Sequence, residues 1–206
     1  MLSKSNRFST RSLFGIKRSS VEPRSAPHLT TGSTRLQKLV TMTQKCISEL
    51  GSIASEEQLE QWACLIYESM SAPSRTFHSV QHVFDISENH NHIQTLAAFF
   101  HDAIYYNIDG GLSDAQKEVL DGVITENPDD GNVSVSPDMT METDRVIAMV
   151  MSIFGFKPDQ VLNPFKGLNE FLSAALAVRC LKEVLDLPEL AAIATIIEAT
   201  IPFREY

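Results

Sequence analysis

A histidine and an aspartate stand side by side inside the apolar and aromatic run FFHDAIYY, residues 99–106. The run closes a segment, 93–106, whose residues predict a strongly buried helix. Burying the ionisable side chains of His101 and Asp102 in such a helix is costly unless something pairs with them. Two arrangements would satisfy the pair, namely a bound metal ion or hydrogen bonds within the protein core.

The bulk composition predicts one globular domain with extensions and disfavours a long nucleic-acid or membrane partner. The chain has 206 residues, of which 43% are hydrophobic, and its formal net charge is −9. A domain usually takes about 100–200 residues. Binding along a phosphate backbone needs clustered Lys and Arg, which an acidic chain does not favour. A small phosphorylated molecule or nucleotide is still compatible with this charge, because a metal in the pocket would supply the positive charge.

The cysteines and the hydropathy pattern indicate an intracellular protein. Cys46, Cys64 and Cys180 are far apart and form no CxxC pair. We therefore predict that they are reduced and that the compartment is reducing. No stretch approaches 18 consecutive apolar residues, so we expect no transmembrane helix.

Residues 1–34 differ in composition from the rest of the chain. Ser, Lys and Arg dominate this segment, and its single acidic residue is Glu22. Such a composition resembles an organellar transit peptide, and it also fits a disordered tail. We predict a cytoplasmic protein by default, with organellar import as the alternative.

Helical periodicity governs the remaining residues, 35–206. Apolar residues recur at helical spacing, and Ser55 followed by Gln58 predicts a capping box. The predicted helices lie at about 35–50, 56–70, 93–106, 112–124, 142–154, 169–185 and 188–200, with a short one around His82. Residues 126–141 are polar and aperiodic, so we expect an exposed loop within an insertion. No strand pattern is evident, and we predict an all-α fold.

Two groups of potential metal ligands lie about twenty residues apart. His78 and His82 are four residues apart, so a helix would place them on one face, with Asp85 nearly on the same side. His101 and Asp102 point about 100° apart on a helix, yet both can reach an ion at the seam between two helices. Imidazole and carboxylate ligands suit Fe, Mn, Zn, Ni, Co or Mg.

The alternative interpretation of these histidines is core packing. A pair at i, i+4 alone is a weak motif, and a single histidine on an apolar face is more often a hydrogen-bonded core residue than a ligand. Two apolar-flanked groups with complementary ligand types are harder to explain in that way, so we favour a metal site. His90 and His92 lie in a polar turn, and we expect them to be solvated.

The order of these groups resembles the HD-domain superfamily of metal-dependent phosphohydrolases. The stretch FHSVQHVFDI is similar to the YHNxxHAxDV signature of the cyclic-nucleotide phosphodiesterase branch. The chain is more similar to small HD-domain proteins that carry R-x-[YF]-H-x3-H, then FHDA, then NE-x2-SA. The resemblance covers about residues 35–203, with 107–167 as an insertion between the HD helix and the NE helix. It implies an HD-like helical bundle.

The resemblance also implies roles for individual residues. His82, His101 and Asp102 would be metal ligands, and His78 would protonate the leaving group. Asp85 would orient a ligand histidine from behind. Glu170, in the NE pair, would act as a base or orienting group near a metal-activated water.

The role of Arg75, the first residue of the R-x-[YF]-H motif, follows from its own chemistry. A guanidinium can hold a phosphate oxygen by bidentate hydrogen bonding. The alternative is a surface arginine that caps the loop after Pro73. We include Arg75 as a predicted substrate-binding residue. The expected activity is hydrolysis of a small phosphorylated or nucleotide-type substrate.

One departure from the family pattern leaves other functions open. The superfamily has a last metal-binding Asp, which in the small proteins follows a segment like IEATIPF, here residues 197–203, and no Asp follows it before Tyr206. Either the chain is truncated, or the metal site is incomplete and the domain is an inactive ligand-binding or scaffold module. A third alternative is an all-α interaction protein that binds no metal.

Overall fold

The computed structural model describes residues 31–75, 78–129 and 131–202. These residues form mainly helices, and the predicted all-α class is confirmed. In chain order the elements are α1 (Thr31–Glu49), α2 (Glu56–Met70), α3 (Val80–Ser87), α4 (His92–Phe100), α5 (Tyr106–Asp109), α6 (Asp114–Val119), β1 (Ile124–Glu126), β2 (Val133–Val135), α7 (Arg145–Phe154), α8 (Leu168–Leu181) and α9 (Leu187–Glu198).

Side-chain caps fix the starts of the helices around the site. The predicted capping box of α2 is confirmed, because the Gln58 amide donates to Ser55 Oγ and the Ser55 amide donates to Gln58 Oε1. Asn91 and Gln94 cap α4 in the same reciprocal way. Such caps satisfy backbone donors that a helix start leaves without partners. Local sequence therefore determines where these helices begin.

The helix α8 lies at the centre of the fold. Ten of its 14 residues are buried, and α4, α6, α7 and α9 all pack against it. A helix that is buried nearly all round must be surrounded by other elements. The small residues Ala174, Ala175 and Ala177, all fully buried, line its contacts. The central position of α8 fixes the location of Glu170 in its first turn.

The helix α4 ends earlier than the predicted segment 93–106. It stops at Phe100, and His101 is its C-cap residue. A turn follows in which the Ala103 amide donates to the Phe100 carbonyl, and the Ile104 amide donates to Ser173 Oγ on α8. The His-Asp pair therefore lies at a helix end rather than inside a helix, where its side chains can face a cavity.

The predicted insertion contains regular structure. The strands β1 and β2 pair antiparallel, with Ile124 opposite Val135. The expectation of an exposed loop over 126–141 is wrong for Val133 and Val135, which are buried. Their backbone pairs with a distant segment, because the Leu162 amide donates to the Val133 carbonyl at 2.8 Å. The predicted helix at 112–124 is also shorter, since α6 ends at Val119.

The helix α7 belongs to the core, although the sequence placed it inside the insertion. Its buried residues Ile147, Val150 and Met151 face the bundle, and it packs against both α8 and α9. Asp144 caps its start by accepting from the amides of Val146 and Ile147. Removing the whole of 107–167 would thus uncover apolar surface of the bundle.

The predicted tail, 1–34, falls outside the described residues up to position 30. Residues 31–34 belong to the first turn of α1. Across the described ranges, every helix is too short or too polar to cross a membrane.

The hydrogen bond from Ile104 to Ser173 is expected to contribute measurably to stability. Both residues are buried, so Ser173→Ala would leave the Ile104 amide without a partner. We expect a loss of about 1–3 kcal/mol in the free energy of unfolding. Urea denaturation would measure it. Thr195→Ala is the matched control, because the exposed Thr195 hydroxyl bonds only within its helix; equal effects of the two substitutions would contradict the assignment.

Candidate metal centre

A cavity of about 550 Å³ brings both histidine groups together. Its lining comes from the turn before α3, from α3 itself, from α4 and the turn after it, from the start of α8 and from α9. The polar residues that line it are His78, His82, His90, Gln94, His101, Asp102, Tyr105, Glu170 and Thr200. Apolar side chains such as Ile86 and Ile196 complete the wall. A concave site with convergent titratable groups is the usual form of an active site.

Three of these residues could together hold a metal ion. One nitrogen each of His78 and His82 and one oxygen of Asp102 all lie within 4.8 Å of one another. The two imidazole rings meet edge to face, with centroids 5.6 Å apart. Ligand atoms about 2.0–2.2 Å from one ion are separated by about 3–4 Å. A small closure of the cluster would therefore complete the site.

His78 reaches the cluster by a different route from the predicted one. The helix α3 begins at Val80 with Ser79 as its N-cap, so His78 lies before the helix and His82 in its first turn. The prediction that the two share one face of a helix is therefore wrong. Extended backbone at Ser79 (ψ 164°) leads His78 back toward Asp102 instead. The Ser79 hydroxyl accepts from the His82 amide and holds this corner in place.

The Nε2 atom of His101 lies against the carboxylate of Asp102. Its Nδ1 lies 2.9 Å from the Ala98 carbonyl oxygen, which can only accept, so Nδ1 carries the hydrogen. In neutral imidazole Nε2 is then an acceptor, and it lies 2.7 Å from Asp102 Oδ2. Two acceptors at this distance repel unless a proton or a cation lies between them. The geometry therefore requires a positive charge at this point.

The electrostatics of the pair follow from that contact. Burial alone would lower the pKa of His101, but the hydrogen bond and negative charge of Asp102 outweigh it, and the pKa is raised. Burial would raise the pKa of Asp102, yet contact with His101 and the charges of His78 and His82 lower it below its usual value. Asp102 is thus ionised at neutral pH and available as a ligand.

His78 has an unsatisfied nitrogen in the same place. Its Nδ1 lies 3.0 Å from Asp102 Oδ2 without hydrogen-bond geometry, and among the described residues this buried atom has no hydrogen-bond partner. Its Nε2 lies 3.4 Å from the Tyr105 hydroxyl, and the two rings stack. Burial lowers the pKa of His78, and although Asp102 opposes this, the net shift is downward. His78 is therefore neutral at pH 7, with a nitrogen turned toward Asp102.

These observations fit a divalent metal ion. Neutral imidazoles and an ionised carboxylate are the donor types that such ions select. The Nδ1 of His101 bonds a backbone carbonyl, as the second nitrogen of a ligating histidine commonly does. An ion near Asp102 Oδ2 would also give the unsatisfied Nδ1 of His78 a partner. The residues present therefore suit the ion that the sequence predicted.

Glu170 faces the same cavity from α8. Gly167 precedes the helix with φ +91°, and a Cβ there would lie 2.8 Å from the Ile201 side chain, so the turn requires glycine. This turn places Glu170 in the first turn of the helix. Burial raises the pKa of Glu170, and the nearby Asp102 charge adds to the shift. A carboxyl with a raised pKa in a cleft is a candidate for proton transfer.

Arg75 lies beneath the site and does not line the cavity. Its guanidinium is buried and forms an ion pair with Asp109, in which Nε donates to Oδ1 at 3.1 Å. It also donates to the backbone carbonyls of Asp102 and Ala103. Arg75 thus fixes the backbone that carries the His-Asp pair. Its predicted contact with a substrate phosphate stays a prediction.

Asp85 and His90 are both exposed, and of the two only His90 lines the cavity. Asp85 is exposed and accepts a hydrogen bond from Gln81 at 2.7 Å. Its predicted role in orienting a ligand histidine stays a prediction. His90 is exposed, as expected, but it also lines the mouth of the cavity.

Two contributors escaped the sequence analysis. Asp109, which binds Arg75, lies 34 residues away in sequence, and no local pattern pairs the two. Tyr105 stacks on His78 at a centroid distance of 4.9 Å. Its position three residues after Asp102 was the available signal.

Comparisons with protein-family models, with curated proteins and with solved structures gave no match. The functional assignment of this chain therefore depends on the geometry and chemistry of the site itself.

The metal content of the purified protein tests this site. After incubation with Fe, Mn, Zn, Ni, Co or Mg and removal of excess ion, elemental analysis should find about one ion per chain. We expect the His101→Ala, Asp102→Ala double variant to lose it, because two donors are gone. The His92→Ala variant should keep the ion, because His92 lies at the start of α4 and does not line the cavity.

A second measurement shows whether the double variant is still folded. Circular dichroism should show helical content equal to that of the parent protein. Equal background metal in the folded parent and the folded double variant would contradict the metal site.

Proposed function

We propose that this protein is a metal-dependent phosphohydrolase of the HD-domain type, acting on a small phosphorylated substrate. The observation that carries the proposal is the group of His78, His82 and Asp102, whose ligand atoms all lie within 4.8 Å of one another and could hold a metal ion. The ordered motifs around His78, His82, His101, Asp102 and Glu170 support the same function. A site of this kind suits phosphoryl transfer, because catalysis there is mainly positioning and charge stabilisation.

The chain would hold the ion through His82, His101 and Asp102. When bound, such an ion polarises a phosphoryl oxygen and lowers the pKa of a coordinated water. Asp102 keeps its charge because its pKa is depressed. Arg75 holds the Asp102 backbone, so that carboxylate stays in position when a substrate enters.

Proton movements would be handled by the remaining cavity residues. We assign His78 as the donor to the leaving oxygen, because its ring lines the cavity and the Tyr105 hydroxyl contacts it. Burial lowers its pKa, so the protonated form that donates would be the minor form at pH 7. Glu170, which lines the same cavity, would accept a proton from the attacking water. Its raised pKa brings it closer to the pKa expected of a general base.

Phosphate release from a panel of phosphomonoesters and phosphodiesters tests the function. We expect hydrolysis that depends on added metal and is abolished in the double variant at His101 and Asp102. His92→Ala should behave like the parent. Absence of turnover in metal-loaded, folded protein across the panel would contradict an enzyme and favour a ligand-binding module.

His78→Gln tests the role of the proton donor. General acid catalysis usually contributes about 10²–10⁴-fold, so we expect kcat to fall by about that factor while the metal content stays unchanged. Loss of the metal from this variant would instead make His78 a ligand, which the three-residue cluster with His82 and Asp102 also permits.

A further inference from the structure

A second cavity adjoins the metal centre. It measures about 290 Å³ and shares Tyr105, Glu170 and Pro202 with the first cavity. Its other wall includes Ile108 from α5 and the segment Pro164–Phe165 before α8. A molecule whose reacting group lies beside Asp102 can therefore extend past Tyr105 into this space.

The mouth of the second cavity is unusually apolar. Phe165 is 75% exposed and Ile108 is 54% exposed, and they are two of the five large hydrophobic side chains exposed in the described ranges. Both face one cavity next to titratable residues. Exposed apolar groups that cluster beside a polar cleft commonly mark a binding surface. The Asn163 side chain, which accepts from the Phe165 amide at 2.8 Å, holds Phe165 in this position.

The charges of the two cavities limit what can bind. Their described lining includes the carboxylates of Asp102 and Glu170 but no Lys or Arg. The nearest buried guanidinium, Arg75, is bound by Asp109. A metal ion at the centre could neutralise one phosphoryl group, whereas a further negative group in the second cavity would face Glu170, and the described lining of that cavity has no Lys or Arg. Unpaired charge in such a cleft is unfavourable.

We propose that the second cavity binds the organic part of the substrate and selects an uncharged, apolar or aromatic group attached to a single phosphoryl group. This inference depends on the proposed function, because it needs the phosphoryl group at the metal centre. Tyr105, stacked on His78, forms the shared wall where the ester oxygen would lie. Phe165 and Ile108 would be specificity-determining residues that contact only the organic group.

Binding of matched phosphonates to the metal-loaded protein tests the inference without turnover. Isothermal titration calorimetry would compare methylphosphonate, phenylphosphonate and 4-carboxyphenylphosphonate. Burying a phenyl ring should tighten binding about tenfold relative to the methyl compound. The added carboxylate should weaken binding again, because it would enter a cavity whose described lining has no Lys or Arg.

Single substitutions test whether the second cavity causes the preference for phenylphosphonate over methylphosphonate. Phe165→Ser should reduce the preference for phenyl over methyl to less than about threefold, since most of the buried apolar area would be lost. Its affinity for methylphosphonate should change less than its affinity for phenylphosphonate, because a methyl group buries little apolar area. Met141→Ser is the matched control, because Met141 is 58% exposed and lies outside both cavities.

The outcomes separate the two claims. If methylphosphonate binds and phenylphosphonate binds no tighter, or the preference survives in Phe165→Ser, the inference is wrong and the proposed function stands. If the carboxylate improves binding, the selection for an uncharged group is wrong. If none of the phosphonates binds metal-loaded protein, the proposed function fails and the inference fails with it.

Discussion

The carboxylate of Asp102 is the contact on which the candidate site depends. One oxygen, Oδ2, lies 2.7 Å from His101 Nε2 and 3.0 Å from His78 Nδ1. The Ala98 carbonyl orients His101 so that its lone pair faces this oxygen. Without a positive charge among them, these atoms would repel one another. A divalent ion or an imidazolium proton would satisfy the pair at 2.7 Å, and only the ion would also be bound by His82, whose ligand atom lies within 4.8 Å of the Asp102 oxygen.

Much of the neighbouring structure supports this contact. Arg75, neutralised by Asp109, binds the backbone carbonyls of Asp102 and Ala103 from below. The Ser173 hydroxyl accepts from the Ile104 amide and ties the same turn to α8. The side chains of Arg75 and Ser173 are buried, so breaking these bonds would leave polar groups without partners. The turn after α4 is therefore rigid, and a rigid support is what a site needs to keep its ligands in position.

Local signals in the sequence predicted the helices and part of the site. Capping residues such as Ser55 fix helix starts, and the apolar spacing identified the bundle. The grouping of His82 with Asp102 was also predicted, because both flank apolar helices. The β-hairpin escaped prediction because each of its strands has only three residues, too few to show an alternating pattern. The hydrogen bond from Leu162 to Val133, which is distant in sequence, also has no local signal. The partner of Arg75 and the second cavity also depend on chain segments that meet only after folding.

Anomalous X-ray diffraction from crystals of metal-loaded protein tests the central claim most directly. Data collected on both sides of the absorption edge of the bound ion would show its position. The account predicts one peak about 2.0–2.2 Å from an oxygen of Asp102 and from at least two imidazole nitrogens. No peak in this cavity, with His101 Nε2 still 2.7 Å from Asp102 Oδ2, would mean that a proton satisfies the pair and that the site holds no metal.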